Sequence, residues 1–330
     1  MTPREILRRV LMFEDAPRIG LGIGGKYPDD MIHAGGSWQR QHPAQPQGNE
    51  IRRWVDEWGV TWASLTEFDK GEVVAGAIEH WDQLDSWKAP NLSNPALFAG
   101  ARVAFKEDDG QHFRVGHIPG FTFNIARKLR RLDNYLCDLV LQREKIDQLH
   151  AKIRRILLGA IDQWASIGAD AIMFPEDWGT QDRLMISPAM WKEIFQPEFA
   201  ALAGRAHEHG MLVIMHSCGK ITEAMEDMID AGIDCFQFDQ PRLHGIDTLA
   251  KRFAGRTSFW CTCDIQTTLQ TKDPAVIRAE AAELVEKLFV SGGGFIAKRY
   301  PSDESIGLGP EIQDIACDAF AEIATDQAVA

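Results

Sequence analysis

The chain of 330 residues lacks the features that mark membrane-spanning, secreted and nucleic-acid-binding proteins. It has no apolar run near the ~20 residues that a membrane-spanning helix requires, and its first residues lack the apolar core of a secretion signal. Its six cysteines are sparse and irregularly spaced, which disfavours a disulfide scaffold. The formal net charge of -13 disfavours nucleic acid or an anionic membrane as the main partner. We therefore expect a cytoplasmic protein with reduced thiols or metal-binding cysteines.

Short repeats and low-complexity linkers are also missing, which predicts one domain, 1–330. Apolar strand-like runs alternate instead with amphipathic helical stretches, for which we predict helices at 147–166, 188–209, 274–290 and 309–324. The strand-like runs are residues 18–23, 61–65, 113–117, 171–174, 211–216, 235–238, 258–263 and 294–298. Eight strands with intervening helices predict an α/β fold, a (β/α)8 TIM barrel with an extended N-terminal region. A doubly wound sheet is the alternative.

One segment does not fit the regular alternation. Residues 26–47 are polar and rich in proline, glycine and histidine. A long structureless loop in a compact domain is usually functional or mobile. We predict that this segment is an active-site or oligomerisation loop.

The most informative stretch is a five-residue apolar strand, 211–215, that runs directly into His216 and Cys218. Parallel α/β proteins place their chemistry at the carboxyl ends of strands. Neutral imidazole and thiolate are ligands that zinc prefers. The pair predicts a metal site, and a core cysteine beside a structural histidine is the alternative.

Polar side chains follow the other predicted strands as well. In chain order they are Thr66, Glu67, His117, Glu176, Asp177, Gln237, Asp239, Gln240, Cys261, Cys263, Asp264, Lys298 and Arg299. Each also has a structural interpretation: acidic residues can cap helices or turns, Lys298 and Arg299 can be surface charges, and the two cysteines can face either the barrel mouth or the helices. Together these residues predict a functional site at one end of the barrel.

Four ordered motifs are spread along the chain, at residues 54–62, 176–181 with 186–191, 207–219 and 259–266. They resemble the "DEWG", "DDWGTQ…SPxxW", "HxxG…HSCG" and "FWGGIDTQ" segments of the uroporphyrinogen decarboxylase superfamily. The resemblance implies a (β/α)8 barrel and commonly a homodimer.

The resemblance is closer to one branch of this superfamily than to the other. True uroporphyrinogen decarboxylases resemble one another in a paired-arginine segment, "WxMRQAGR", whereas residues 18–25 of this chain read RIGLGIGG. Decarboxylation in haem synthesis is therefore not expected. In the corrinoid-linked methyltransferase branch, zinc is held by H-x-C and a later cysteine, and His216 and Cys218 match the first two ligands.

The later cysteine has no counterpart, because residues 294–300 contain none. We predict Cys263 as the substitute ligand, with Glu176 or Asp264 able to supply oxygen. The resemblance implies a corrinoid cofactor, and since no cobalamin-binding segment is evident in this chain, a separate corrinoid protein would have to carry it.

The leading prediction is a zinc-dependent methyltransferase or O-demethylase that moves a methyl group between a small molecule and a corrinoid protein or thiol. We predict catalytic roles for Glu176, Asp177 and Asp264. The predicted substrate-binding residues are Gln181, Gln240, His117, Lys298 and Arg299. The alternatives are a metal-free decarboxylase of a carboxylated aromatic or tetrapyrrole-like substrate, with Lys298 or Arg299 holding the carboxylate, and a non-catalytic binding barrel.

Overall fold

The computed structural model describes residues 1–37, 51–64 and 71–329. The strands are β1 (Gly20–Gly22), β2 (Met31–Ala34), β3 (Arg52–Val55), β4 (Thr61–Ser64), β5 (Glu72–Ala75), β6 (Phe113–His117), β7 (Ala171–Pro175), β8 (Leu212–His216), β9 (Cys235–Phe238), β10 (Ser258–Cys261) and β11 (Phe295–Lys298). The α-helices are α1 (Pro3–Met12), α2 (Ala99–Glu107), α3 (Thr122–Leu129), α4 (Leu132–Leu141), α5 (Arg143–Ser166), α6 (Pro188–Ile194), α7 (Gln196–Glu208), α8 (Met225–Asp230), α9 (Pro241–His244), α10 (Ile246–Phe253), α11 (Pro274–Leu288) and α12 (Pro310–Val329). Short 3-10 helices lie at Trp81–Leu84, Pro95–Phe98, Leu269–Thr271 and Glu304–Ile306.

Eight strands form one parallel sheet in the order β1-β11-β10-β9-β8-β7-β6-β2. The two end strands approach each other, because the backbone N–H of Asp30 donates to the carbonyl of Leu21 at 2.6 Å. A further antiparallel bridge joins Gly22 and Asp29. The sheet is thus a nearly closed barrel surrounded by helices, and the predicted TIM barrel is confirmed.

The second barrel strand was predicted wrongly. Residues 61–64 of the predicted strand 61–65 form β4, the middle strand of a separate antiparallel sheet with β3 and β5. The second barrel strand is β2, which lies inside the segment 26–47 predicted as a loop and pairs with β6. Alternating burial marks β4 as a strand, but alternation does not tell which sheet a strand joins. Residues 38–47 of that segment, and Thr66 and Glu67, lie outside the described residues.

The predicted helix 188–209 is two helices, α6 and α7, which meet at Phe195. Pro197 lies in the first turn of α7 and has no backbone N–H to continue the hydrogen bonding of α6. The other predicted helices are present as α5, α11 and α12, with ends shifted by a few residues.

The amino-terminal end of the barrel is closed by α1. This helix begins at Pro3 with a capping box between Thr2 and Glu5. Its apolar face packs into the barrel with inward-facing strand residues, which include Met31, Phe113, Val115, Ile214, Trp260 and Ile296. Chemistry is therefore confined to the carboxyl-terminal end, as in other TIM barrels. Within the described ranges, we find no helix with the length and apolar character needed to cross a membrane.

Candidate metal centre

Three potential metal ligands meet at the carboxyl-terminal end of the barrel. Among the described residues, Asp177, His216 and Cys218 each offer one ligand atom, and these atoms all lie within 4.8 Å of one another. Cys218 Sγ is 3.3 Å from His216 Nε2, and the same nitrogen is 3.8 Å from Asp177 Oδ1. Cys218 is exposed and the other two are half-buried, so an incoming molecule can reach the cluster.

Neighbouring strands bring these residues together. Pro175 at the end of β7 pairs in register with His216 at the end of β8. Beyond the strands, the backbone N–H of Glu176 donates to the carbonyl of His216 at 2.8 Å. The backbone N–H of Cys218 donates to Asp177 Oδ1 at 2.9 Å. The loops after β7 and β8 are therefore bonded to each other, and this contact fixes the positions of the ligand atoms that they carry.

Two glycines allow the loops to touch. A Cβ on Gly219 would lie 2.1 Å from the carbonyl oxygen of Gly179, and Gly219 has a φ of +76°. A Cβ on Gly179 would lie 2.4 Å from the backbone nitrogen of Lys220. That nitrogen donates to the carbonyl of Thr180 at 2.8 Å. Glycine is required at these positions because any side chain would push the loops apart.

Two further side chains orient the ligands. Gln237 Oε1 lies 2.5 Å from His216 Nδ1, on the side of the ring opposite the cluster. Arg127 Nη2 lies 3.6 Å from Asp177 Oδ2 and also donates to Asn124 Oδ1 at 2.8 Å. Imidazole, thiolate and carboxylate are all zinc ligands, and three protein ligands with an open position are typical of catalytic zinc. The donor set therefore fits zinc.

Glu176, a predicted catalytic residue, points away from this cluster. Its side chain is fully buried, and Oε2 accepts the backbone N–H of Asn124 in α3 at 2.7 Å. Burial outweighs this hydrogen bond and the nearby Arg127, and it raises the pKa of Glu176 to about 8. The other carboxylate oxygen, Oε1, is buried and has no hydrogen-bond partner among the described residues.

The structure does not bring Cys263 to His216 and Cys218. Its buried thiol lies against α11, where Sγ donates to the carbonyl of Ile277 at 3.6 Å, and burial raises its pKa well above the usual value. Trp260 faces into the barrel and Cys261 belongs to the core between barrel and helices. Cys263 lies just beyond β10 and belongs to the same core, so both thiols face the helices.

The predicted catalytic residue Asp264 is engaged by backbone groups. Its Oδ1 accepts the N–H groups of Gln266 and Thr267, both at 3.0 Å, and its Oδ2 accepts that of Arg242 at 3.2 Å. These contacts are those of a turn cap. Asp264 is buried and does not join the cluster of Asp177.

Two of the predicted substrate-binding residues, Lys298 and Arg299, are held in ion pairs of their own. The ammonium group of Lys298 forms a buried ion pair with Asp239. Arg299 binds Asp303 at 2.9 Å and Asp314 at 2.6 Å. Gln240 is buried just before α9, and Gln181 is exposed in the loop after β7. The structure therefore places the two cations in ion pairs of their own.

The fifth, His117, lies at the end of β6 beside a histidine that the sequence did not suggest. His33 Nδ1 is 3.0 Å from His117 Nε2, and the His33 ring stacks on Trp260 with centroids 5.5 Å apart. Desolvation by the surrounding barrel walls lowers the pKa of His33 to about 3 and that of His117 to about 4, although His33 is exposed at the barrel mouth and His117 is half-buried. His33 was missed because it lies in the segment predicted as a loop. The short apolar run Met31–Ala34 around it was the available signal.

A cleft of about 1090 Å³ opens beside Asp177. The antiparallel sheet contributes Trp58 and Trp62 to its lining, and α3 contributes Arg127 and Lys128. Pockets of this size bind small molecules, commonly through aromatic walls and a few polar groups. Through Asp177, the cluster of potential ligands is thus adjacent to a space that can hold an organic molecule.

Comparison with solved structures supports the architecture. A methyltransferase from Methanosarcina mazei has the same fold, with 16% sequence identity and a TM-score of 0.63, over 81% of this chain and 76% of that protein. A D-psicose 3-epimerase, solved in the presence of D-fructose, is 10% identical with a TM-score of 0.45, over 75% of this chain and 87% of that protein. Among curated proteins, no sequence matches the chain.

Comparison with protein families is more specific. The family model described as uroporphyrinogen decarboxylase (URO-D) matches residues 120–298. The match covers more than half of the chain, extends from the start of α3 to the end of β11, and includes all three potential ligands. The chain belongs to the uroporphyrinogen decarboxylase family.

Proposed function

We propose that the protein is a zinc-dependent methyltransferase within this family, with Asp177, His216 and Cys218 as the zinc ligands. The observation that carries the proposal is the convergence of these three ligand atoms within 4.8 Å at the carboxyl-terminal end of the barrel. Asp177 takes the position of third ligand for which the sequence suggested Cys263. The methyltransferase from Methanosarcina mazei, which shares the fold, agrees with this proposal.

The chemistry follows from the ligands and their surroundings. When bound, zinc would lower the pKa of an incoming thiol or polarise the atom that carries the methyl group. Arg127 restrains Asp177 through Oδ2 and leaves Oδ1 facing His216. Cys218 is exposed, so an incoming molecule can reach the cluster from solvent. Glu176 has no accessible atom for a substrate proton, so a role in acid–base catalysis gains no support.

The methyl partner remains the one that the resemblance implies, a corrinoid carried by a separate protein, or a thiol. The small-molecule substrate would occupy the cleft beside Asp177, where Trp58 and Trp62 offer flat apolar walls. A homodimer is proposed on the same resemblance.

A metal-free decarboxylase is the second candidate, because Arg127 and Lys128 line the cleft and could hold a substrate carboxylate. The residues predicted for that task support it less. Lys298 and Arg299 are already neutralised by Asp239, Asp303 and Asp314. Asp264, a predicted catalytic residue, has its carboxylate occupied by backbone N–H groups.

Metal content is the first test. Purified protein is expected to hold about one zinc per chain, and the His216→Ala, Cys218→Ala double variant and Asp177→Ala are expected to lose it. Cys137→Ala and Asp182→Ala are matched controls, since both side chains are exposed and neither belongs to the cluster. Zinc-free protein after growth with added zinc would remove the proposal.

Methyl transfer is the second test. Free methylcobalamin and a small thiol are mixed with the zinc protein; the thiolate takes the methyl group, and the cobalt–carbon electron pair stays on cob(I)alamin, which is followed by absorbance under anaerobic conditions. The rate is expected to depend on zinc and to be lost in Asp177→Ala. Carbon dioxide release from carboxylated aromatic compounds, without zinc, would support the decarboxylase instead.

A further inference from the structure

Gln237 is the only polar side chain of β9, whose other residues are Cys235, Phe236 and Phe238. Phe236 and Phe238 stack on each other with ring centroids 5.7 Å apart and belong to the core between barrel and helices. Cys235 faces the barrel interior with Ile214 and Trp260. Strand alternation therefore places Gln237 on the interior face, above Cys235.

At this position Gln237 meets one metal ligand. It pairs in register with His216 of β8, and its Oε1 lies 2.5 Å from His216 Nδ1. The side chain is 5% exposed, so water competes little for this contact. A buried glutamine that gives its amide oxygen to a ring nitrogen requires a proton on that nitrogen, because the oxygen can only accept.

We propose that Gln237 is the positioning residue of the metal site, which fixes His216 in the tautomer with the proton on Nδ1. The inference rests on the proposed zinc function, because the Nδ1 tautomer of His216 leaves the lone pair of Nε2 available to the metal. Nε2 is the nitrogen that faces Cys218 Sγ at 3.3 Å and Asp177 Oδ1 at 3.8 Å. Histidine ligands of metals commonly donate their other ring N–H to such a partner, which fixes both tautomer and ring orientation.

The opposite assignment has different consequences. If the amide nitrogen of Gln237 faced Nδ1, the proton of neutral His216 would lie on Nε2 and point into the cluster. A ring in that state cannot ligate through Nε2 until the proton leaves. A residue at position 237 that can only accept a hydrogen bond would keep the His216 proton on Nδ1. An apolar residue there would no longer favour that tautomer.

The test uses three variants of the full chain and two measurements. Gln237→Leu removes the acceptor, Gln237→Glu keeps an acceptor, and Gln163→Leu repeats the glutamine-to-leucine change on the outer helix α5. Nitrogen-15 NMR of labelled histidine, in metal-free protein at a pH where the ring is neutral, reports the tautomer of His216, assigned with His216→Ala. Competition with a zinc chelator reports the affinity. Gln237→Met, of similar length, replaces Gln237→Leu if that variant does not fold.

Wild type, Gln163→Leu and Gln237→Glu are expected to carry the proton on Nδ1. Gln237→Leu is expected to shift toward Nε2 and to bind zinc roughly 10- to 100-fold more weakly. An Nε2 proton in wild type, an unchanged tautomer in Gln237→Leu, or zinc affinity of that variant within twofold of wild type would each overturn the inference. A wild type without zinc affinity but with the Nδ1 tautomer, lost in Gln237→Leu, would contradict the proposed function and leave the positioning role intact.

Discussion

Two sides of the barrel mouth differ in how their polar residues are used. After β7 and β8, Asp177, His216 and Cys218 bring their ligand atoms close to one another, and Asp177 also lines the cleft. After β10 and β11, Asp264 caps a turn, and Lys298 and Arg299 are held in ion pairs. Polar residues at strand ends are therefore not equivalent: on one side they are available to a ligand, and on the other they are occupied by the fold. Substitutions on the two sides should separate metal binding from stability.

The largest effect is expected from Gly219→Ala, on the ligand side. The added Cβ would clash with the carbonyl of Gly179 and force the loops apart. We expect zinc binding to be lost, and the strained, overpacked backbone to cost roughly 2–5 kcal/mol of unfolding free energy. Zinc analysis and urea unfolding measure the two effects.

The control for this variant is Gly210→Ala. Gly210 has a similar φ of +74° but no atom within 4 Å of the added Cβ. It should cost about 1–2 kcal/mol for the left-handed conformation and retain zinc. Equal zinc loss in both variants would contradict the role given to the Gly179–Gly219 contact.

On the opposite side, Lys298→Met should leave Asp239 buried and unpaired. Loss of one partner of a buried ion pair typically costs about 3–5 kcal/mol. Adding Asp239→Leu should recover much of this loss, and zinc content should stay at the wild-type level throughout. Lys192→Met, which removes an exposed ion pair with Asp227, is the control and should cost about 0–1 kcal/mol.

His244 lies between the two sides of the barrel mouth, and its burial predicts that the protein is less stable in acid. It is buried, accepts or donates one hydrogen bond with Thr222 Oγ1 at 3.0 Å, and stacks on Phe238. Burial, and secondarily Lys220, lower its pKa to about 3. The unfolded chain therefore binds this proton near pH 6.5 and the folded chain does not, so stability falls as the pH decreases below 6.5.

At pH 5 the loss attributable to His244 should be about 2 kcal/mol relative to pH 8. Urea unfolding of wild type and His244→Leu at both pH values measures the difference between their losses. Because His33, His117 and His150 have lowered pKa values as well, the variant should still lose some stability in acid. Parallel losses in the two proteins would contradict the assignment to His244.

The smallest effect is expected from Asp264→Ala. The backbone N–H groups of Gln266, Thr267 and Arg242 would lose their acceptor, at a cost of about 1–2 kcal/mol. Zinc should remain bound, whereas Asp177→Ala should lose zinc with little change in stability. Thermal unfolding with and without a chelator compares the two aspartates directly. Zinc loss in Asp264→Ala would show that the two sides are not independent.

The sequence was sufficient for the barrel and for two of the three proposed ligands. Apolar runs ending in polar residues locate strand ends, and the His216 and Cys218 spacing places two ligands on one loop. The third ligand was harder to predict, because the alternation of side chains along a strand does not show which face points into the barrel. The sequence analysis named Cys263 as the third ligand and gave Asp177 a catalytic role, whereas the structure covers the Cys263 thiol with α11 and brings Asp177 to His216 and Cys218.

Residues distant in sequence were the least predictable. His33 and Gln237 matter through partners on neighbouring strands, His117 and His216, and a sequence pattern does not record such pairs. The four-residue strand β2, between segments rich in glycine and proline, was too short to stand out. The separate antiparallel sheet was mistaken for part of the barrel for the same reason: pairing partners are a tertiary property.

The helix α1, which fills the amino-terminal end of the barrel, also limits where molecules can enter and leave the protein. Because α1 closes that end, the described residues leave the carboxyl-terminal opening as the route to the cluster of Asp177, His216 and Cys218. Under the proposed function, the substrate, the methyl acceptor and the product would all use this opening. A product that stays bound there would block the next substrate. A large partner bound over the opening would have to dissociate before the small molecule beneath it could exchange.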